Sequence, residues 1–165
     1  MTMILVLTFV IGVVAGLRAM TPLAVVAWGA RLNMWVLMGT HLAWVGNAIM
    51  PWVFSVLAVA ELINDKVPGT ASRKVPPQFI VRVLSGALSG AVVGAAQDLS
   101  GAVVGGVQES LVIGLIAGAV GAVVGTLGGA AVRGKLAAMF GNDLPAALLE
   151  DVVAIGLGIA VVSQV

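Results

Sequence analysis

The sequence predicts an all-α integral membrane protein, a polytopic helix bundle of about six membrane segments with one or two of them broken or re-entrant. Three observations predict it. Hydrophobic residues make up 61% of the 165 residues and charged residues 9%, and the mean hydropathy is +1.16. A soluble domain carries roughly 25% charged residues, so too few charges exist here to coat a globule in water, and lipid must solvate most of the surface. Apolar stretches recur at about 1–17, 22–45, 48–64, 78–97, 110–132 and 143–163, spaced for crossings of roughly 20 residues each. Finally, the few charges fall after or inside these runs, where an ionisable side chain is costly and is a functional candidate by default.

The first run, 1–17, lacks a basic leading region and an Ala-x-Ala cleavage site, so it reads as a retained span. Arg18 follows it. Thr21 is a favoured N-cap and Pro22 a favoured first helical residue, so a new helix is expected to start there. Its free amides and positive dipole end beside Arg18 would make an anion site or a socket for a buried carboxylate. The competing reading has Arg18 snorkelling to lipid headgroups. Run 22–45 is interrupted by Arg31, Asn33, Thr40 and His41. It reads as two half-helices, a re-entrant element or a span buried against its neighbours. Trp28, Trp35, Trp44 and Trp52 are expected at headgroup level. Met34, Met38 and Met50 are ordinary lipid-facing or packing residues. His41 is the only histidine and has no second ligand at metal spacing.

Run 48–64 ends in Glu61, with Asp65 one turn on and on the same helix face. Lys66 points about 100° away from Asp65, so Arg18 or Arg82 is the better partner for these acids. Glu61 reads as a proton or cation site, or equally as half of a structural ion pair; Asp65 and Lys66 read as a solvated helix end. In run 78–97, Gly86, Gly90 and Gly94 recur at every fourth residue. In run 110–132, Gly114, Gly118, Gly121, Gly125 and Gly128 alternate spacings of four and three. Such stripes let helix backbones approach closely, within one protomer or between subunits. Glu150 and Asp151 sit about two turns into the last run, and two neighbouring acids cannot both face lipid. Arg133 and Arg82 are their expected partners.

The whole of 1–165 is expected to form one transmembrane domain, because no soluble domain fits beside six spans. A weak internal repeat, roughly 1–77 and 78–165, is suggested by Gly46-Asn47 before Pro51 and Glu61, and by Gly141-Asn142 before Pro145 and Glu150. The spacings differ between the halves, and chance likeness is an equal reading. Lys66, Arg73 and Lys74 in loop 65–77 and Arg133 and Lys135 in loop 133–142 predict both loops cytoplasmic, with 97–109 outside.

The chain has no cysteine, no Gly-x-Ser-x-Gly, no phosphate-binding loop and no His-Glu-x-x-His. An enzyme, a metal and a cofactor are therefore not expected, and no basic run exists to bind nucleic acid. Leu17-Arg18 through Pro22, Glu61 through Pro68, and Leu149 through Val152 resemble the segments that mark a bacterial membrane family known only as domain of unknown function 4126. That resemblance implies a small multi-span membrane protein, with Arg18, Pro22, Glu61, Asp65, Lys66, Pro68, Glu150 and Asp151 in the family's pattern. The glycine-rich stretch 101–129 departs from it.

The leading expectation is a transporter or channel-like carrier for a small anionic or zwitterionic solute, proton-coupled through buried carboxylates. Its site candidates are Arg18, Thr21, Glu61, Asp65, Arg82, Arg133, Glu150 and Asp151. The alternative is an assembly protein whose buried charges form an ion-pair network and whose glycine stripes bind partner helices. Expected partners are the bilayer, in a bacterial cytoplasmic membrane, and further copies of the chain, as a dimer or higher homo-oligomer.

Overall fold

Backbone amides and carbonyls in lipid have no water to turn to, so apolar runs satisfy them internally as helices. The computed structural model describes residues 2–32, 37, 39–66, 75–99 and 106–165, and among these every regular element is helical. The α-helices are α1 (Thr2–Leu17), α2 (Thr21–Arg31), α3 (Met50–Asn64), α4 (Pro76–Leu99), α5 (Val107–Phe140) and α6 (Asp143–Val162). A single 3₁₀ turn covers Ala43–Gly46. Helices α4, α5 and α6 are long and apolar enough to cross a membrane, whereas α1 and α3 are shorter apolar helices. At 11 residues, or about 16 Å, α2 cannot cross alone. The stretch 22–45 is thus a broken segment, its helix ending at Arg31. Asn33, Met34, Trp35 and Met38 lie outside the described residues, as do Arg73 and Lys74 of the loop expected to be cytoplasmic.

The helix starts follow local chemistry. Thr21 is not the cap that its type suggests: Met20 holds the cap position, no side chain caps the helix locally, and Thr21 is already its buried first residue. The Asn47 side chain accepts from the Ile49 and Met50 amides at 2.8 and 2.9 Å ahead of α3. Asn142 accepts from Leu144 at 3.1 Å ahead of α6. Cap chemistry therefore accounts locally for the paired Gly-Asn patterns. Gly141, at φ +66°, ends α5 in the left-handed conformation that glycine favours.

Three helices, α1, α4 and α5, pack most closely. A Cβ on Gly90 would fall on the Gly114 carbonyl oxygen, one on Gly118 on that of Gly86, and one on Gly94 on that of Ser110. Across α1, Gly121 faces the Phe9 carbonyl, Gly125 that of Val13, and Gly12 that of Gly118. These stripes face helices of the same chain. Gly128 differs: nothing lies within 4 Å of a Cβ built there, and the residue lines a cavity between α1, α5 and α6 instead of meeting a facing backbone.

The other helices are peripheral. Of α3, Pro51 and Ala58 alone are buried. It leans on α2 through an edge-to-face contact of Trp28 with Trp52, centroids 5.1 Å apart, and a 3.0 Å bond from the Trp28 indole to Ser55. Its outer face, with Val56, Val59 and Ile63, is exposed, as are Val152, Val153 and Ile159 of α6. Surfaces this apolar and this exposed belong against acyl chains.

Candidate functional site

Antiparallel succession brings the ends of α1, α3 and α5 and the starts of α2, α4 and α6 to the same end of the bundle, and the charges of those segments meet there. They do not meet at its surface. Arg82 lies about 9 Å inside the start of α4, Arg133 about 10 Å inside the end of α5, and Asp151 about 12 Å inside the start of α6. Helices α1 and α3 stop at this level, and α2 begins at it. Along α6, about 30 Å long and apolar enough to cross a membrane, the layer lies within about 12 Å of one end.

Arg18 is its most enclosed member, with no exposed surface. It pairs with Asp65 at 2.9 Å and, more closely still, with Asp151. Its two terminal nitrogens each face a carboxylate, so two ion pairs hold it in the interior. Arg133 donates to Asp65 at 2.5 Å, to both oxygens of Asp143 at 2.9 and 2.5 Å, and to Glu150 at 3.4 Å. Lys66 reaches Asp151 at 2.7 Å while also bonding the Leu62 carbonyl at 3.0 Å. Arg18, Asp65, Asp151 and Arg133 each thereby stand among two or more partners.

A second knot closes the α1–α2 junction. Arg82, 4% exposed, donates to the Gly16 and Leu17 carbonyls at 3.0 and 2.7 Å and stands 3.3 Å from Glu61. One Glu61 oxygen accepts the Ala19 amide and the other the Met20 amide, both at 2.9 Å. The Ser85 hydroxyl donates to the Ala19 carbonyl. Glu61 is thus the cap that α2 lacks in its own sequence.

The expected candidates Arg18, Glu61, Asp65, Arg82, Arg133, Glu150 and Asp151 converge on this layer. Thr21 is adjacent, buried at the start of α2, and takes no share in the ion pairs. Asp65 is not a solvated helix end, since it is wedged between two arginines. Burial alone would raise its carboxyl, but the Arg133 hydrogen bond and the Arg18 and Arg133 charges outweigh that and hold it below the usual carboxylate value. Of the two readings of Arg18, the carboxylate socket describes it and the snorkel does not. Lys66 does not serve the acids beside it, but it does serve Asp151 across the bundle. Sequence reasoning misses Asp143; its signal is the hairpin geometry that sets it opposite Arg133 across a short turn.

Two cavities adjoin the layer. One, of about 320 Å³, lies between α1, α5 and α6, is walled by Val13, Leu17, Val132, Leu149 and Val153, and carries Arg133 and Glu150. The other, of about 290 Å³, lies between the α1–α2 junction, α3 and α4, and is lined by Glu61, Asn64, Asp65, Gln78 and Arg82 among others. The Arg133–Asp65 pair stands between them, one partner in each wall. Among the described residues no group of three or more acids or histidines has the geometry to hold a metal ion.

An all-helical bundle with apolar outer faces and charges paired inside one end defines a small membrane protein of the polytopic helical class. The chain belongs to the family described as Domain of unknown function (DUF4126), whose family model matches residues 5–164. No curated protein and no solved structure matches the chain.

Proposed function

We propose that this protein is a small membrane carrier for a zwitterionic solute, with the charged layer as its gate. The observation that carries the reading is the way the layer divides the bundle. Helices α1, α4 and α5 are locked by backbone-to-backbone glycine contacts, whereas the ends of α3 and α6 are tied to them through ion pairs, and the Arg133–Asp65 pair has one partner in the wall of each cavity. Exchange of partners within the layer alters which cavity is closed, giving the two arrangements that a carrier needs. Among the described residues the layer sets Glu61, Asp65, Asp143, Glu150 and Asp151 against Arg18, Lys66, Arg82 and Arg133, five acids to four bases. That surplus favours a solute bearing an ammonium group, or a proton, over a simple anion.

The test is uptake into liposomes holding the purified protein, driven by a pH gradient and read with an entrapped pH dye across a panel of small zwitterions. Solute-dependent proton movement above empty liposomes is expected, and Glu61→Gln and Glu150→Gln lower it at least tenfold. No movement with any solute, or full activity in both variants, overturns the reading.

The assembly reading keeps one observation in its favour, the backbone contact that closes the centre of α1, α4 and α5 to any solute. It expects Arg18→Asp with Asp151→Arg to restore both folding and function. A carrier recovers folding alone.

A further inference from the structure

Helices α5 and α6 form a hairpin through Gly141 and Asn142, yet beyond that turn they do not close on each other. A cavity of about 320 Å³ stands between them, backed by Val13 and Leu17 of α1. On α5 it runs over Gly128 and Gly129. The glycines from Gly114 to Gly125 admit an opposing backbone, whereas a Cβ at Gly128 would meet nothing within 4 Å. On α6, Leu149 and Val153 border the cavity while each stays nearly half exposed. The slot therefore opens sideways, on the flank of two helices apolar enough to cross a membrane.

Its chemistry selects an occupant. A buried water needs about 2–4 polar partners. Arg133 and Glu150 are the only polar side chains in the lining, and both are engaged in the charged layer. A helix of a second copy needs about 8–10 Å from each neighbouring axis, too much for a gap that narrows to so short a turn. An acyl chain is thin enough and meets aliphatic walls. One charge beside the slot is unused. Lys135 follows Val132 by three residues and Gly128 by seven, which puts it at the edge of the same stripe of α5, nearer the turn. It is exposed and has no ion pair among the described residues, whereas Arg133 already serves Asp65, Asp143 and Glu150. An aliphatic slot with an uncompensated cation at its rim is complementary to an anionic phospholipid.

We propose that this slot is a lipid site, in which one acyl chain of an anionic phospholipid lies over Gly128 and Gly129 and the phosphate meets Lys135. The chain supplies the contact that α5 and α6 do not make with each other, braces α6, and keeps water from the Arg133–Glu150 pair. The site stands apart from the carrier reading, and binding is measured without transport.

The test uses the full-length protein, stripped of lipid in a neutral detergent and titrated with dioleoyl-phosphatidylglycerol or dioleoyl-phosphatidylcholine, which share their chains. At roughly ten times its dissociation constant, phosphatidylglycerol is expected to raise the unfolding temperature by about 3–6 °C, and phosphatidylcholine by less than about half of that. Lys135→Gln brings phosphatidylglycerol down to the phosphatidylcholine value. Arg31→Gln, which removes a base at the far end of α2, leaves the preference intact. Gly128→Leu fills the slot from α5 and Val153→Phe fills it from α6, and each loses the response to both lipids. If one of these does not fold, the other decides. An undiminished response in a filled variant overturns the site, as does an equal response of the wild type to the two lipids. Loss of the preference in Arg31→Gln, which would mark attraction to charge in general, also overturns it. So does a lipid-independent dimer that Gly128→Leu dissociates, because a second copy would then fill the slot.

Discussion

Arg18→Leu removes a positive charge from the most enclosed point of the charged layer, where the arginine has no exposed surface and the side chains of Asp65 and Asp151 are 20% and 11% exposed. Breaking a buried pair by deleting one partner costs about 3–5 kcal/mol, because the other charge is left uncompensated. Each carboxylate here keeps a second base: Asp65 keeps Arg133 at 2.5 Å and Asp151 keeps Lys66 at 2.7 Å. That places the cost near the lower limit, about 3 kcal/mol. For a chain of this length 1 kcal/mol moves the unfolding temperature by about 2–4 °C, so Arg18→Leu is expected to unfold about 6–12 °C below the wild type. The assay is thermal unfolding in one fixed detergent, followed by far-ultraviolet circular dichroism. Screening reaches buried pairs weakly, so the deficit persists in about 1 M salt. Adding Asp151→Asn to Arg18→Leu lowers the excess of acids that the loss of Arg18 leaves in the layer and recovers some of the loss. Unfolding of Arg18→Leu within about 2 °C of the wild type, or a further loss on adding Asp151→Asn, would refute the reasoning.

Two further outcomes are expected from the same measurement. Gly90→Ala drives a methyl group onto the Gly114 carbonyl and the Gly118 Cα, costing about 1–3 kcal/mol by overpacking, whereas Gly128→Ala meets nothing and gains up to about 1 kcal/mol of helix propensity. Equal effects of the two would show that the stripes do not pack as described. The Asp65 carboxyl is held below its unfolded value of about 3.9, so its contribution is complete above that pH and is lost as pH falls through the lower folded value. Acidification below about pH 4 therefore destabilises the wild type more than Asp65→Asn, and parallel pH profiles would contradict the pairing.

The meeting of the charges is readable from the sequence for a simple reason. When helices alternate in direction, residues near the end of one and the start of the next share a level, and Arg18, Glu61, Asp65, Arg82, Arg133, Glu150 and Asp151 all stand at such places. Which acid takes which base is not readable, because pairing depends on the rotation and height of each helix. The bond from Lys66 to Asp151 spans 85 positions, and no local rule reaches that far. Thr21 shows the opposite limit. Its type favours a cap, but the helix starts one residue earlier, with Met20 at the cap position and its amide held by a carboxylate from α3, so tertiary contact overrides local preference. For the glycines, spacing identifies a stripe without showing where a facing backbone gives way to a cavity. Gly128 continues the pattern of Gly114 to Gly125 but faces a cavity beside the last turn of α1 and so meets open space.

The two kinds of contact in this bundle differ in how many alternatives they allow. A glycine face against a carbonyl has a single fit: sliding α4 along α5 by one residue would set Ser85 or Ser89 where Gly86 or Gly90 now admits the opposing backbone. An ion pair is more tolerant. Asp65 lies within reach of Arg18 and Arg133, Asp151 of Arg18 and Lys66, and Arg133 of three carboxylates, so one pair can lengthen as another shortens at little electrostatic cost. Tolerant contacts tie the ends of α3 and α6 to the core, and the unforgiving ones hold α1, α4 and α5 together. Any change of shape in this molecule is therefore cheapest as movement of α3 and α6 about the charged layer, and a solute or proton acting there meets the softest region of the structure.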